Sequence, residues 1–195
     1  MTASTPALLL RASELIGRPV VTLGGDLIAE IKDIVFERSG GRIAGFTLRN
    51  PGLFSRSRRD SLPWVGVHAL GRDAVMVPDE TVFIAAKELA PRKQARNADV
   101  LRDRVLTDNG RDLGRVVDVV LHGGTRLDVV GYEVEAIETL GTGGRRVLIP
   151  LPDTVAVSGE HLIVPAAATE FVSEDLAGFG AAVDAFRSRL REGAS

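Results

Sequence analysis

The sequence predicts a mainly β protein made of two small β-barrels in tandem, with short helical turns and a C-terminal amphipathic helix. Three observations carry this. The stretch GGDLIAEIKDIVFE, beginning at Gly24, returns 85 residues later as NGRDLGRVVDVVLH, beginning at Asn109. Each copy breaks into short apolar and β-branched runs separated by glycine-rich turns, as strands of a small barrel or sandwich do. After the second copy, apolar residues recur every third or fourth position, the spacing of one helix face. The expected organisation is a first barrel at 8–80, a linker at 81–95, a second barrel at 96–168 and a helix with its tail at 169–195.

The elements follow in order. Arg11–Gly17 reads as a helical turn that Ser13 caps and Gly17 ends. Val20–Leu23 is a short strand, and Gly24-Gly25-Asp26 a turn in which glycine takes positive φ without steric cost. Ile28–Glu37 is a longer strand, and Ser39-Gly40-Gly41 the next turn. Arg42–Leu48 alternates, with Ile43 and Gly45 on one side and Ala44, Phe46 and Leu48 on the other. Short strands are expected near Leu62–Trp64, Val67–Leu70 and Ala74–Val77. The second copy runs the same course, from a turn at Asn97–Arg102 through strands at Arg104–Thr107, Leu113–Leu121, Leu127–Ala136, Arg145–Leu151, Thr154–Val157 and His161–Val164. The polar stretch Lys87–Arg96, which holds Pro91 and four basic residues, marks the linker. Beyond the second copy, Leu176, Phe179, Val183, Phe186 and Leu190 form the helical stripe, with Ser173 as the expected cap. That stripe is expected to pack on its own chain; a homodimer through the helix is its alternative use.

Composition narrows the function. The 195 residues are 45% hydrophobic and 26% charged, with a net charge of −2. Residues 1–90 carry +1 and residues 91–195 carry −3, so neither half has the basic balance of a DNA-binding domain. There is no cysteine, which removes disulfides, thiol catalysis and cysteine-based zinc sites. No secretory signal is visible, and no apolar run approaches the roughly 18–20 residues that cross a bilayer. The expected location is the cytoplasm.

The residues Arg11–Thr22, Asp33-Ile34-Val35, Gly45-Phe46, Leu62-Pro63-Trp64 and Val77-Pro78 follow one order of turns, apolar pairs and prolines. Asp99–Thr107, Asp118-Val119-Val120, Gly131-Tyr132, Ile149-Pro150 and Val164-Pro165 repeat it. In this order the chain resembles the PRC-barrel family, over about residues 8–80 and 96–168. The family includes the cytoplasmic domain of the photosynthetic reaction-centre H subunit and the C-terminal domain of the ribosome maturation factor RimM. The resemblance implies small β-barrels that act as binding or assembly modules rather than catalysts. No transmembrane helix precedes the first copy, so a reaction-centre H subunit is not expected. The N-terminal domain of RimM has no counterpart, because both halves read alike.

Candidate chemistry is sparse. His68, His122 and His161 are unpaired in the repeat and lack the spacing of metal ligands. No Gly-x-Ser-x-Gly elbow is present, and Gly141-Thr142-Gly143-Gly144 lacks the lysine and helix of a phosphate loop. No catalytic, cofactor-binding or metal-binding residue is expected. Asp33 and Asp118 are equivalent, and each reads as a structural acceptor for backbone N–H groups. Trp64 is expected in the core. The unusual surface feature is Arg49–Arg59, which holds Arg49, Arg56, Arg58, Arg59 and the aromatic Phe54, and no acid. These five residues are the candidate contacts for an anionic partner. The leading expectation is a non-enzymatic adaptor that binds a protein partner, through this loop and the groove between the barrels. The alternatives are an RNA- or ribosome-associated factor, whose binding would weaken steeply with salt, and a module at a membrane surface.

Overall fold

A computed structural model describes residues 8–37, 41–52, 57–89, 100–124, 126–137, 144–152, 157–158 and 161–193. The strands are β1 (Leu8–Arg11), β2 (Pro19–Thr22), β3 (Leu27–Phe36), β4 (Ile43–Arg49), β5 (Ser57–Pro63), β6 (Ala69–Leu70), β7 (Val75–Val77), β8 (Ile84–Ala85), β9 (Arg104–Thr107), β10 (Asp112–Gly123), β11 (Leu127–Ala136), β12 (Arg146–Pro150), β13 (Val157–Ser158) and β14 (His161–Val164). The α-helices that lie wholly within the described residues are the one-turn α1 (Ala86–Leu89) and the long α2 (Leu176–Gly193). The chain divides into two compact units, one of residues 12–38 and 42–99, the other of 1–11, 39–41 and 100–195.

The two units repeat one topology. In the first, the sheet order is β6-β7-β2-β3-β4-β5-β8; in the second it is β12-β11-β10-β9-β14-β13, with β1 added on β10. β2 and β7 pair in parallel, as do their equivalents β9 and β14; the other pairs are antiparallel. The repeat is also one of burial. Val20 and Val105, Val35 and Val120, Phe46 and Tyr132, Leu62 and Ile149, and Val77 and Val164 are all buried. Each such aliphatic or aromatic side chain contributes about 1.5–3 kcal/mol on leaving water. The turn after the first strand of each copy places Gly25 at φ +96 and Gly110 at φ +83, a region where a Cβ is strained.

The sequence predicts two small barrels, and the hydrogen bonding differs. Among the described residues neither sheet closes into a ring: the first is a path with two ends, and the second is a path with β1 as a branch on β10. Closure requires the terminal strands to pair with each other. The ends of the first path, β6 and β8, and one end of the second, β13, are two residues long.

Asp33 and Asp118 act structurally, as expected. Each stands at a register shift of its strand pair. Asp33 Oδ1 accepts from Ile34 N (2.9 Å) and Asp118 Oδ1 from Val119 N (2.8 Å). A bulge leaves a backbone N–H without its ladder partner, and an Asp at that position supplies the acceptor from its own side chain.

The N-terminal residues depart from the expected layout. Leu8–Arg11 belongs to the second unit, where it runs antiparallel to Val120–Gly123 of β10. β9 takes the start of the same edge, at Asp112–Arg115. Arg11 clamps the strand in place. Its Nε and Nη2 donate to Glu133 Oε2 (3.1 Å) and Oε1 (2.9 Å). Glu133 is buried, and this bidentate fork supplies both oxygens with a charged donor.

Helix α2 packs on its own unit through Phe179 and Val183, against Val120, Val130 and Leu148, while its buried Phe186 meets the Phe171 ring at 5.7 Å. Ser173 is not its cap. Asp175 Oδ1 accepts from Gly178 N (2.9 Å), the bond an N-cap residue makes. Ser173 instead bridges to β12 through its backbone, exchanging hydrogen bonds with Leu148 at 2.7 and 3.0 Å. Trp64 is half-buried, not core. It lies in a 3₁₀ turn, Trp64–Gly66, edge-on to Phe46 at 6.3 Å.

Candidate functional site

The arginine-rich segment bends into β4 at one end and β5 at the other. Phe54 and Arg56 lie outside the described residues; Arg49, Arg58 and Arg59 lie within them. Arg49 ends β4 opposite Glu30 of β3, and its Nε donates to Glu30 Oε2 at 2.8 Å. The other carboxylate oxygen, Oε1, accepts from Gly52 N (3.3 Å). Arg49 is therefore a bracket for the start of the loop, its charge offset by a neighbouring strand.

Arg58 is held more firmly. Its Nε and Nη2 donate to the two oxygens of Asp60, both at 2.8 Å, and its Nη1 donates to Ile28 O at 3.0 Å. Strand alternation puts Arg58 and Asp60 on the same side of β5, which makes the fork geometrically easy. The guanidinium also sits over the Phe83 ring, 5.3 Å from its centre, within cation–π range. The hydrogen bond from Arg58 holds the Asp60 carboxyl below the ordinary carboxylate value, and the same bond raises Arg58. Phe83 is delivered by a 3₁₀ turn, Glu80–Val82, that Asp79 caps by accepting from Thr81 N (2.8 Å).

These groups border an open depression of about 600 Å³, lined by Asn50, Arg58, Arg59, Asp60, Glu80 and Phe83 with the edge strand β8. Arg59 is exposed at its rim. The arginines stand out in the sequence; Asp60, Glu80 and Phe83 do not. Asp60 directly follows the arginine run, and that adjacency was the available signal. Glu80 and Phe83 come from a later segment, and nothing local in the sequence links them to it.

The depression offers an exposed guanidinium, a fixed aromatic ring and two carboxylates. Among the described residues that line it there is no histidine and no hydroxyl side chain. His68 and His161 are exposed and His122 is half-buried. Among the described residues, no three His, Asp or Glu side chains gather as a metal site, and no helix is long and apolar enough to cross a membrane.

The comparisons with known proteins agree with the duplicated topology. The family model of the PRC-barrel domain matches twice, over residues 9–82 and 93–170. Among curated proteins no relative matches the chain. The two matches span well over half of the sequence and coincide with the two repeats, so the chain belongs to the PRC-barrel domain family and carries that domain in tandem.

Proposed function

We propose that this protein is a non-enzymatic cytoplasmic adaptor whose first copy docks a protein partner at the exposed Arg59. The observation that carries the reading is the state of Arg58 and Arg59. Arg58 is locked by Asp60, the Ile28 carbonyl and the Phe83 ring, while Arg59 next to it is exposed at the rim of the depression. A rigid neighbour lowers the ordering cost of a contact, and an exposed arginine beside an aromatic is the composition of a contact anchor. Asp60 and Glu80 in the same depression count against a run of phosphates, so RNA is the weaker reading.

The test is affinity purification of the tagged protein from its native host, with and without ribonuclease, for wild type and Arg59→Glu. The adaptor reading expects a small ribonuclease-resistant set of proteins that Arg59→Glu depletes. Ribosomal proteins lost on ribonuclease treatment would replace it with the RNA reading. A partner set that Arg59→Glu leaves unchanged would remove the depression from the account.

A further inference from the structure

The second unit carries two additions to its sheet. β1 pairs on the edge of β10, and α2 packs on one face. A cavity of about 220 Å³ lies where they meet, bounded by β1, β10, β11 and α2. Its lining is of two kinds. Leu9, Val130 and Val183 are apolar and belong to the cluster that α2 packs against. His122, Asp184 and Arg187 are ionisable.

Each ionisable group is placed by its element. His122 of β10 stands between Leu9 of β1 and Asp128 of β11 in cross-strand register, which puts the three side chains on one face. Asp184 and Arg187 are three residues apart on α2, so they are neighbours on its surface. Even so, the side chains of Asp184 and His122 make no hydrogen bond or ion pair among the described residues. Arg187 Nε donates to Leu151 O at 3.4 Å, which holds one corner of the guanidinium. A guanidinium binds a carboxylate by two parallel N–H donors.

We propose that this cavity binds a small zwitterion with a short apolar side chain, the chemistry of an apolar α-amino acid. The ligand carboxylate meets Arg187, its ammonium meets Asp184 with the His122 imidazole as a further polar partner, and its side chain lies on Leu9, Val130 and Val183. The lining selects against simpler molecules. A purely apolar ligand would desolvate Asp184 and Arg187 without giving either a partner. A lone anion would face Asp184, with Asp128 beside His122; a lone amine would face Arg187. The volume is below the ~300–1,000 Å³ of pockets for drug-sized ligands, which limits the occupant to amino-acid size.

The experiment is a heteronuclear NMR titration of the full chain with L-leucine. Isocaproate, which lacks the ammonium, and isoamylamine, which lacks the carboxylate, are the matched controls. Leucine is expected to bind with a dissociation constant at or below about 1 mM, with shifts concentrated at Leu9, His122, Val130 and Gly180. Both controls are expected to bind at least about tenfold more weakly, as is leucine to Asp184→Asn and to Arg187→Gln. Asp184 is exposed, so its variant is not expected to disturb the core, and the unshifted remainder of each spectrum verifies the fold. No leucine binding at about 10 mM, tenfold above that constant, overturns the proposal. Leucine binding that both variants leave unchanged overturns it as well, and a control that binds as tightly as leucine overturns the zwitterion.

Discussion

Arg58 shows how a residue's neighbours change its meaning. In the sequence it is one of four cations in a segment without an acid; in the fold it is a structural fork on Asp60. The pairing has a pH signature. The hydrogen bond from Arg58 lowers the Asp60 pKa in the folded state, so the contribution to stability is complete above the unfolded value of about 4. It is lost as pH falls through the lower folded value. The Asp60 side chain is 32% exposed, which limits the effect to under about 1 kcal/mol. Denaturant melts of wild type and Arg58→Gln between neutral pH and pH ~2 should show a steeper loss below about pH 4 in the wild type. Parallel curves would mean that the ion pair adds no stability. Asp33 and Asp118 are the opposite case. Their place inside apolar runs in both copies was enough to read them as backbone acceptors, because an Asp that bonds its own neighbour's N–H needs no distant partner.

At the scale of elements, periodicity located most of the strands and the C-terminal helix, and of its stripe Leu176, Phe179, Val183, Phe186 and Leu190 the middle three are buried and the end two half-buried. The choice of cap was wrong by two residues. Ser173 and Asp175 both suit an N-cap, and the backbone bridge from Ser173 to Leu148 decides between them, starting the helix after Asp175. The Gly-Phe and Gly-Tyr pairs of the two copies also gain a reason. A Cβ on Gly131 would lie 2.3 Å from Phe179 Cζ and 2.6 Å from Ile149 O, so the glycine lets α2 press onto β11. Gly131→Ala should therefore destabilise the protein by about 1–3 kcal/mol through overpacking, and should reduce hydrogen-exchange protection along α2. A variant as stable as wild type, with α2 still protected, would show that the helix can shift at no cost.

At the scale of the molecule, the least expected feature is β1. It opens the first copy in sequence, yet it pairs into the sheet of the second unit. Its fastening is testable. Removing one partner of a buried ion pair strands the other charge and costs about 3–5 kcal/mol, and the 30% exposure of the Arg11 side chain favours the lower end. Arg11→Met should lower stability by about 3 kcal/mol in urea unfolding, while Arg11→Met with Glu133→Leu should recover most of the loss. If the double variant is as unstable as the single one, the strand depends on the ion pair itself rather than on relief of a stranded carboxylate.

The sequence by itself determined the duplication, most strands of each copy, the family and the buried face of α2. These follow from local turn chemistry and from side-chain periodicity, which act between residues close in the chain. The tertiary structure decided what was through-space: which sheet receives β1, which acids neutralise Arg49 and Arg58, and which side chains line the cavity beside α2. It also left both sheets, among the described residues, open rather than closed into rings. Hydrogen-bond edges and carboxylates accept any partner of the right geometry, so their choice depends on where the whole chain brings its segments together.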